Sequence, residues 1–119
     1  MKKKQLGQFK ALSTDRKEWV YGDLVHFTDG DVSIMTDMKM IAVEPATVCR
    51  IIGKTDKHGK AIYSHDILRY ICEGSLYYED FEVFYDTDSA AFRLRNKDGV
   101  ETSCCKTYKF EIVGNVFDN

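Results

Sequence analysis

The chain has 119 residues, of which 44% are hydrophobic and 30% are charged. These proportions exclude a disordered or fibrous class and predict one globular domain, residues 1–119. The formal net charge is −2, from 17 basic and 19 acidic residues, which disfavours a protein that binds nucleic acid over its whole surface.

The start of the chain and its cysteines predict a cytoplasmic setting. Met1-Lys2-Lys3-Lys4 is basic, but no apolar stretch follows it, so we expect no signal peptide. No run approaches the roughly 20 apolar residues that span a bilayer, so we expect no membrane contact. The cysteines lack the paired spacings of a zinc site, and we expect reduced thiols without metal or cofactor. These cysteines are Cys49, Cys72, Cys104 and Cys105.

Short strands separated by turn signals are predicted along the first half of the chain. Asp29-Gly30 forms a hairpin turn, because this pair accepts the positive φ that such turns need. The chain breaks near Asp37, and Pro45 lies at a corner because it cannot donate to a strand ladder. Trp19 and Tyr21 share one face of their strand, where a core position is favoured over a ligand platform. The predicted strands are Gly7–Ser13, Glu18–Phe27, Val32–Thr36, Met40–Val43 and Val48–Ile52.

The segment Gly53–Leu68 is the most informative part of the sequence. Asp56–Lys60 predicts a tight turn in which Gly59 has a positive φ. Two strands, Ala61–Tyr63 and Asp66–Cys72, follow the turn and flank a corner at residues 64 and 65.

The clearest hairpin joins Phe81–Asp86 to Ala91–Asn96. If residues 87–90 form the loop, paired positions sum to 177. Val83 then faces Leu94 on an apolar side, while charged pairs occupy the other side, in phase with one another. The predicted pairs are Val83 with Leu94, Tyr85 with Phe92, Glu82 with Arg95, and Phe84 with Arg93.

The end of the chain continues the same pattern. A turn is predicted at Asn96–Gly99, and a last strand at Tyr108–Val113 is ended by Gly114. No amphipathic stretch of ten or more residues has helical spacing, and a short helix near Thr102–Thr107 stays open without a supporting pattern. The predicted fold class is therefore mainly β, with irregular antiparallel sheets and little helix.

Six blocks in one order resemble the YopX family, small proteins encoded by phages and prophages that have no established biochemical activity. In the central block, Ser64 and His65 replace the Glu and Gly of the family's "E-G-D". Gly22-Asp23 and His65-Asp66 each precede an apolar strand, as in the "G-D-x-V" element of SH3-like barrels, and predict a partly open SH3-like barrel. The six blocks are Glu18–His26, Val43–Val48, Gly53–Leu68, Val83–Asp86, Ala91–Leu94 and Ile112–Asn119.

The turn near Gly59 is the candidate binding surface. Basic side chains beside an aromatic can hold a phosphate or stack a base. The alternative is a solvated hairpin tip, whose lysines keep the strand edge soluble. The candidate residues are Lys54, Lys57, His58, Gly59, Lys60, Tyr63 and Asp66.

An acidic segment offers a second candidate surface. It carries no Lys or Arg between residues 73 and 88. It predicts either a solvated strand face partly neutralised by Arg93 and Arg95, or a surface for a basic partner or another copy of the chain. The acids are Glu73, Glu79, Asp80, Glu82, Asp86 and Asp88.

Three functions remain open from the sequence. His26, His58 and His65 could supply a general base, but no nucleophile elbow or phosphate-binding glycine loop surrounds them, so no enzyme is predicted. The favoured hypothesis is a non-enzymatic interaction module of phage or prophage origin in the bacterial cytosol, which binds an unknown protein or itself. The alternative is a nucleic-acid-binding module that uses residues 54–60 and Lys2–Lys4, and the third hypothesis is an enzyme with an unrecognised site.

Overall fold

A computed structural model describes residues 7–72 and 74–118, and there the chain is mainly β, as the sequence predicts. Two 3-10 helices, Pro45–Thr47 and Thr107–Lys109, are the helical elements of this part. The strands are β1 (Phe9–Leu12), β2 (Trp19–His26), β3 (Val32–Thr36), β4 (Lys39–Val43), β5 (Cys49–Thr55), β6 (Ala61–Tyr63), β7 (Asp66–Ile71), β8 (Tyr78–Asp86), β9 (Ala91–Asn96), β10 (Glu101–Ser103) and β11 (Glu111–Asn115).

The chain divides into two compact units, of which the first ends at Ile51 and the second begins at Ile52. Strand β5 runs through this boundary. The single domain that the sequence predicts stays a prediction. Over the described ranges, no helix is long and apolar enough to cross a membrane.

The first unit is an antiparallel meander with strand order β4-β3-β2-β1-β5. The chain just after β1 returns to the end of β4, where Ser13 forms an isolated antiparallel bridge with Val43. The Glu44 N–H donates to the Leu12 carbonyl at 2.9 Å beside this bridge. Apart from this single bridge, the described strands keep the open orders of their sheets and form no closed barrel, and the likeness to an SH3-like barrel stays a prediction.

The core of the first unit lies on the face of β2 opposite to Trp19 and Tyr21. Val20 and Leu24 pack against this core, and 40% of Tyr21 is exposed. The Lys10 ammonium lies 4.7 Å from the centroid of the Trp19 ring. The core position favoured for the aromatic pair is therefore wrong, because the alternate face of β2 is also apolar and is the one buried. The buried core residues are Ala11, Val32, Ile34 and Val43.

The second unit is built on a five-stranded antiparallel sheet, of order β10-β9-β8-β7-β11. The predicted register of the β8–β9 hairpin is confirmed, since Val83 pairs with Leu94 and Glu82 with Arg95. Val83 is 0% exposed and Leu94 is 1% exposed, so the apolar side faces the core. The buried residues of this core are Ile62, Leu68, Phe81, Val83, Leu94 and Cys104.

Two predictions for the end of the chain are wrong, and one strand is missed. Gly114 lies inside β11 instead of ending it, because a bulge between Ile112 and Gly114 lets the strand continue to Asn115. Strand β11 starts only at Glu111, because Thr107–Lys109 forms a 3-10 helix. Strand β10 was not predicted, although the turn at Asn96–Gly99 needs a returning strand, and it pairs with β9.

Candidate interaction surfaces

The signature turn is built around the carboxylate of Asp56. Its Oδ1 accepts the N–H groups of His58 and Lys60, both at 2.9 Å, and its Oδ2 accepts the Ile112 N–H at 3.2 Å. Burial alone raises the pKa of Asp56, but these N–H groups outweigh it and leave the pKa below its usual value. Gly59 has a φ of +78°, which confirms the predicted positive φ. The Asp56 carboxylate therefore stabilises the turn and connects it to Ile112 in β11.

The structure joins a second basic segment to the signature turn. The Lys57 N–H donates to the Phe110 carbonyl at 2.9 Å, and the Thr107 hydroxyl donates to the Thr55 carbonyl at 3.0 Å. These bonds bring the 3-10 helix Thr107–Lys109 against the turn. Sequence reasoning missed this segment, and its only local signal is the alternation of lysines with Tyr108. We call the combined region the basic surface, consisting of Lys54, Lys57, His58, Lys60, Lys106, Tyr108 and Lys109.

The lysine ammonium groups of the basic surface are available to a ligand. Within residues 7–72 and 74–118, no carboxylate forms an ion pair with any of these five lysines. Of the acids in the two segments, Glu111 pairs with His58 at 3.0 Å, and Asp56 is buried. The lysines at residues 2–4, which the nucleic-acid hypothesis also used, lie outside the described residues.

Tyr63 and Asp66, two of the predicted binding residues, do not lie on this surface. Both are buried, and the Asp66 carboxylate accepts the Tyr63 N–H at 2.8 Å and the Asn115 side-chain amide at 2.9 Å. The corner between β6 and β7 is thereby tied to the end of the chain. Asp66 and Asn115 belong to separate blocks of the family resemblance, so this contact joins two of the blocks in space.

His65 occupies the corner position where the family has glycine. Its φ is +70°, a left-handed conformation that costs a residue with a Cβ about 1 kcal/mol. The imidazole Nδ1 lies 3.3 Å from a Glu82 oxygen, and the ring packs edge-on against Phe117 at 5.2 Å between centroids. These contacts hold the side chain of His65 against its neighbours. The imidazole therefore has a role in holding the fold.

The acidic segment includes a strand face on which three carboxylates have arginine partners. Asp80 receives two hydrogen bonds from Arg69, at 2.8 and 3.0 Å. Asp86 lies 3.8 Å from Arg93, and Glu82 lies 3.9 Å from Arg95. This arrangement matches the partly neutralised face predicted from the sequence, with Arg69 added by the fold. Glu73 lies outside the described residues.

The hairpin of β7 and β8 extends past its neighbouring strands. The pairing of β7 with β11 stops at Arg69, and the pairing of β8 with β9 stops at Phe81. Beyond these points, Tyr70 pairs with Glu79 and Ile71 pairs with Tyr78 as a two-stranded ribbon. We call residues 70–72 and 74–80 the apolar ribbon. Its exposed fractions are Tyr70 36%, Ile71 45%, Leu76 100%, Tyr77 72% and Tyr78 51%.

The cysteines differ in accessibility, and all four are unbridged. Cys105 is exposed, and the Ser103 hydroxyl at 3.1 Å from its sulfur lowers its pKa, with help from Lys106 and Lys54. Cys104 is buried, and burial raises its pKa. In the part of the chain that is described, no group of three or more His, Cys, Asp or Glu side chains could hold a metal ion.

One comparison identifies relatives of this chain. A family model described as YopX protein matches residues 8–119. No curated protein matches the chain. The matched range includes most of the first unit, the whole second unit and all six blocks quoted from the sequence. It also includes Asp56 and Asp66, the buried acids of the second unit.

Proposed function

We propose that this chain, which belongs to the YopX family, is a non-enzymatic protein-interaction module. The resemblance to that family implies no chemical reaction. A phage or prophage origin and a bacterial cytosolic setting are part of this proposal, and they rest on the resemblance of the sequence. The partner is a protein of the host or phage, or a second copy of the chain. The apolar ribbon is the surface that binds it.

The observation that supports this proposal is the exposure of the apolar ribbon. Leu76 is 100% exposed and Tyr77 is 72% exposed, at the tip of a hairpin that has lost its neighbouring strands. Exposed apolar side chains grouped at one hairpin mark interaction sites in soluble proteins, and tyrosine is enriched at interface cores. A two-stranded hairpin is marginal in water, so a partner that covers the ribbon also stabilises it.

The charges beside the ribbon suggest what the partner carries. Glu79 accepts a hydrogen bond from the Asn96 amide at 2.7 Å, and this amide brings no positive charge to the carboxylate. Asp80 is matched by Arg69. A partner with apolar side chains flanked by a basic group would fit this surface better than an acidic one.

A pull-down that compares two matched variants tests the proposal. The purified chain is immobilised and exposed to nuclease-treated lysates of phage-bearing and phage-free bacteria. The ribbon variant is Leu76→Ser/Tyr77→Ser, and the control is Val100→Ser, which alters an apolar side chain that is 59% exposed in another turn. The same proteins should be retained by wild type and by the control, and lost by the ribbon variant.

Sedimentation velocity tests whether the partner is a second copy of the chain. If the partner is a second copy, wild type and Val100→Ser should dimerise while the ribbon variant stays monomeric. Equal retention of the same proteins by the ribbon variant, with circular dichroism unchanged, would remove the ribbon from the proposal. Absence of both specific retention and self-association would remove the interaction module.

A further inference from the structure

We propose that the basic surface binds single-stranded nucleic acid, with lysine ammonium groups on the phosphates and a base stacked on Tyr108. This site is distinct from the apolar ribbon and goes beyond the proposed protein interaction. The two segments that form it, residues 54–60 and 106–111, carry five lysines against Asp56 and Glu111, a local charge of +3 with histidine neutral. The whole chain has a net charge of −2, so this region is locally positive on a chain that is negative overall.

The pairing of the basic residues separates structural charges from available ones. The described arginines of the five-stranded sheet, Arg69, Arg93 and Arg95, each lie within 4 Å of a carboxylate oxygen. The lysines of the basic surface have no such partner among the described residues. Burying phosphates against unpaired ammonium groups releases counterions without breaking an internal ion pair. The fold therefore neutralises its strand face with arginine and leaves this cluster of lysines available.

The backbone under the basic surface is fixed. Two hydrogen bonds join the two segments, from the Lys57 N–H to the Phe110 carbonyl and from the Thr107 hydroxyl to the Thr55 carbonyl. Just beyond the second segment, the Ile112 N–H donates to Asp56. The lysine stems therefore start from defined positions on two sides of one turn. Ordering of the backbone is already complete before a ligand binds, which lowers the entropic cost of binding.

Tyr108 decides between the possible polyanions. Its side chain is 59% exposed, and its chain neighbours in the 3-10 helix region, Lys106 and Lys109, are basic. An exposed ring beside cationic side chains is the stacking platform of proteins that bind single strands without sequence preference. A duplex keeps its bases stacked inside, and an acidic peptide supplies no flat ring system for Tyr108 to meet. Single-stranded nucleic acid uses both the charge and the ring.

Fluorescence anisotropy with a labelled oligothymidylate of about 12 nucleotides tests this site. The lysine variant is Lys57→Ala/Lys109→Ala. Its control is Lys39→Ala/Lys97→Ala, which removes the same total charge from exposed positions outside the basic surface. At about 50 mM salt we expect the dissociation constant to rise about tenfold in the lysine variant and less than about twofold in the control.

Salt dependence and the aromatic ring give independent readouts. The slope of log affinity against log salt should become shallower by about 1.4 in the lysine variant, since each phosphate contact on a single strand contributes about 0.7. Tyr108→Ala should weaken binding at least about fivefold with an unchanged slope, and Tyr108→Phe should restore it. Leu76→Ser/Tyr77→Ser should bind the oligonucleotide like wild type. The nucleic-acid proposal and the ribbon proposal can therefore fail independently of one another.

Three results would overturn the assignment. If both double-lysine variants bind the oligonucleotide equally weakly, the loss of affinity would come from the change in net charge alone. An unchanged dissociation constant in Tyr108→Ala would remove the stacked base. If polyglutamate competes as well as the oligonucleotide at equal charge concentration, the basic surface would instead be a binding site for an acidic protein.

Discussion

Replacing Asp56 tests whether the signature turn serves the fold. In Asp56→Ala, the N–H groups of His58, Lys60 and Ile112 lose their shared acceptor. A hydrogen bond to a charged group contributes about 1.5–3 kcal/mol. The two turn N–H groups can be rehydrated because His58 and Lys60 are exposed, so each loss falls near or below the lower end of that range. We expect Asp56→Ala to lower the free energy of unfolding by about 3–5 kcal/mol, a large share of the about 5–15 kcal/mol that stabilises a typical protein.

Asp56→Asn separates the charge from the geometry. The amide oxygen can still accept the two N–H groups of the turn, but the amide nitrogen then faces the Ile112 N–H, and two donors meet. This mismatch should cost about 1–3 kcal/mol. Lys57→Ala should change stability by less than about 0.5 kcal/mol, because its side chain is exposed.

The assay is urea denaturation followed by far-UV circular dichroism, with amide hydrogen exchange at Lys60 and Ile112 as a local readout. Trp19 fluorescence is a poor probe, because Trp19 belongs to the first unit and Asp56 to the second. The expected order of destabilisation is Asp56→Ala, then Asp56→Asn, then Lys57→Ala. A loss in Asp56→Ala no larger than that in Lys57→Ala would refute the structural role of the carboxylate.

The pH dependence follows from the lowered pKa of Asp56. The unfolded carboxyl titrates near its usual pKa of about 3.9, while the folded carboxyl titrates lower. Its stabilisation is therefore fully present above the unfolded pKa and is lost as the pH falls through the folded pKa. Wild type should lose more stability than Asp56→Asn between about pH 5 and acid conditions below both pKa values.

Three further predictions concern single positions of the second unit. Gly59→Val should destabilise the fold by about 1 kcal/mol or more in urea denaturation, because φ is +78° although no atom lies within 4 Å of the added Cβ; a neutral effect would contradict the left-handed turn. Val83→Asp should cost several kcal/mol, because the side chain is 0% exposed and a carboxylate there has no partner; a near-wild-type midpoint would contradict the core assignment. In the folded protein Cys105 should react with Ellman's reagent well before Cys104, because Cys105 is exposed with a lowered pKa and Cys104 is buried with a raised one; mass spectrometry after partial labelling checks the order, and first labelling of Cys104 would contradict it.

The sequence by itself determined the elements whose signals are local. The β8–β9 register followed from Val83 facing Leu94, because a one-residue slip would have turned every apolar side chain to the charged face. The positive φ of Gly59 followed from a turn that reverses the chain within a few residues. The resemblance to the YopX family likewise followed from the six sequence blocks alone.

Tertiary structure decided what depends on distant residues. Strand β2 is apolar on both faces, so its pattern could not select Val20 and Leu24 for the core over Trp19 and Tyr21. The interior can accept only one of the two faces, and packing against the neighbouring strands made the choice.

The candidate surfaces also depended on tertiary structure. Asp56 binds the Ile112 N–H across 56 positions of sequence, and the Thr107 hydroxyl binds the Thr55 carbonyl across 52. Such contacts leave no periodic trace in the sequence, because hydrophobic periodicity reports only the face of one element. They are what place Lys106, Tyr108 and Lys109 beside the signature turn, and the ends of β9 and β11 are what leave the apolar ribbon uncovered.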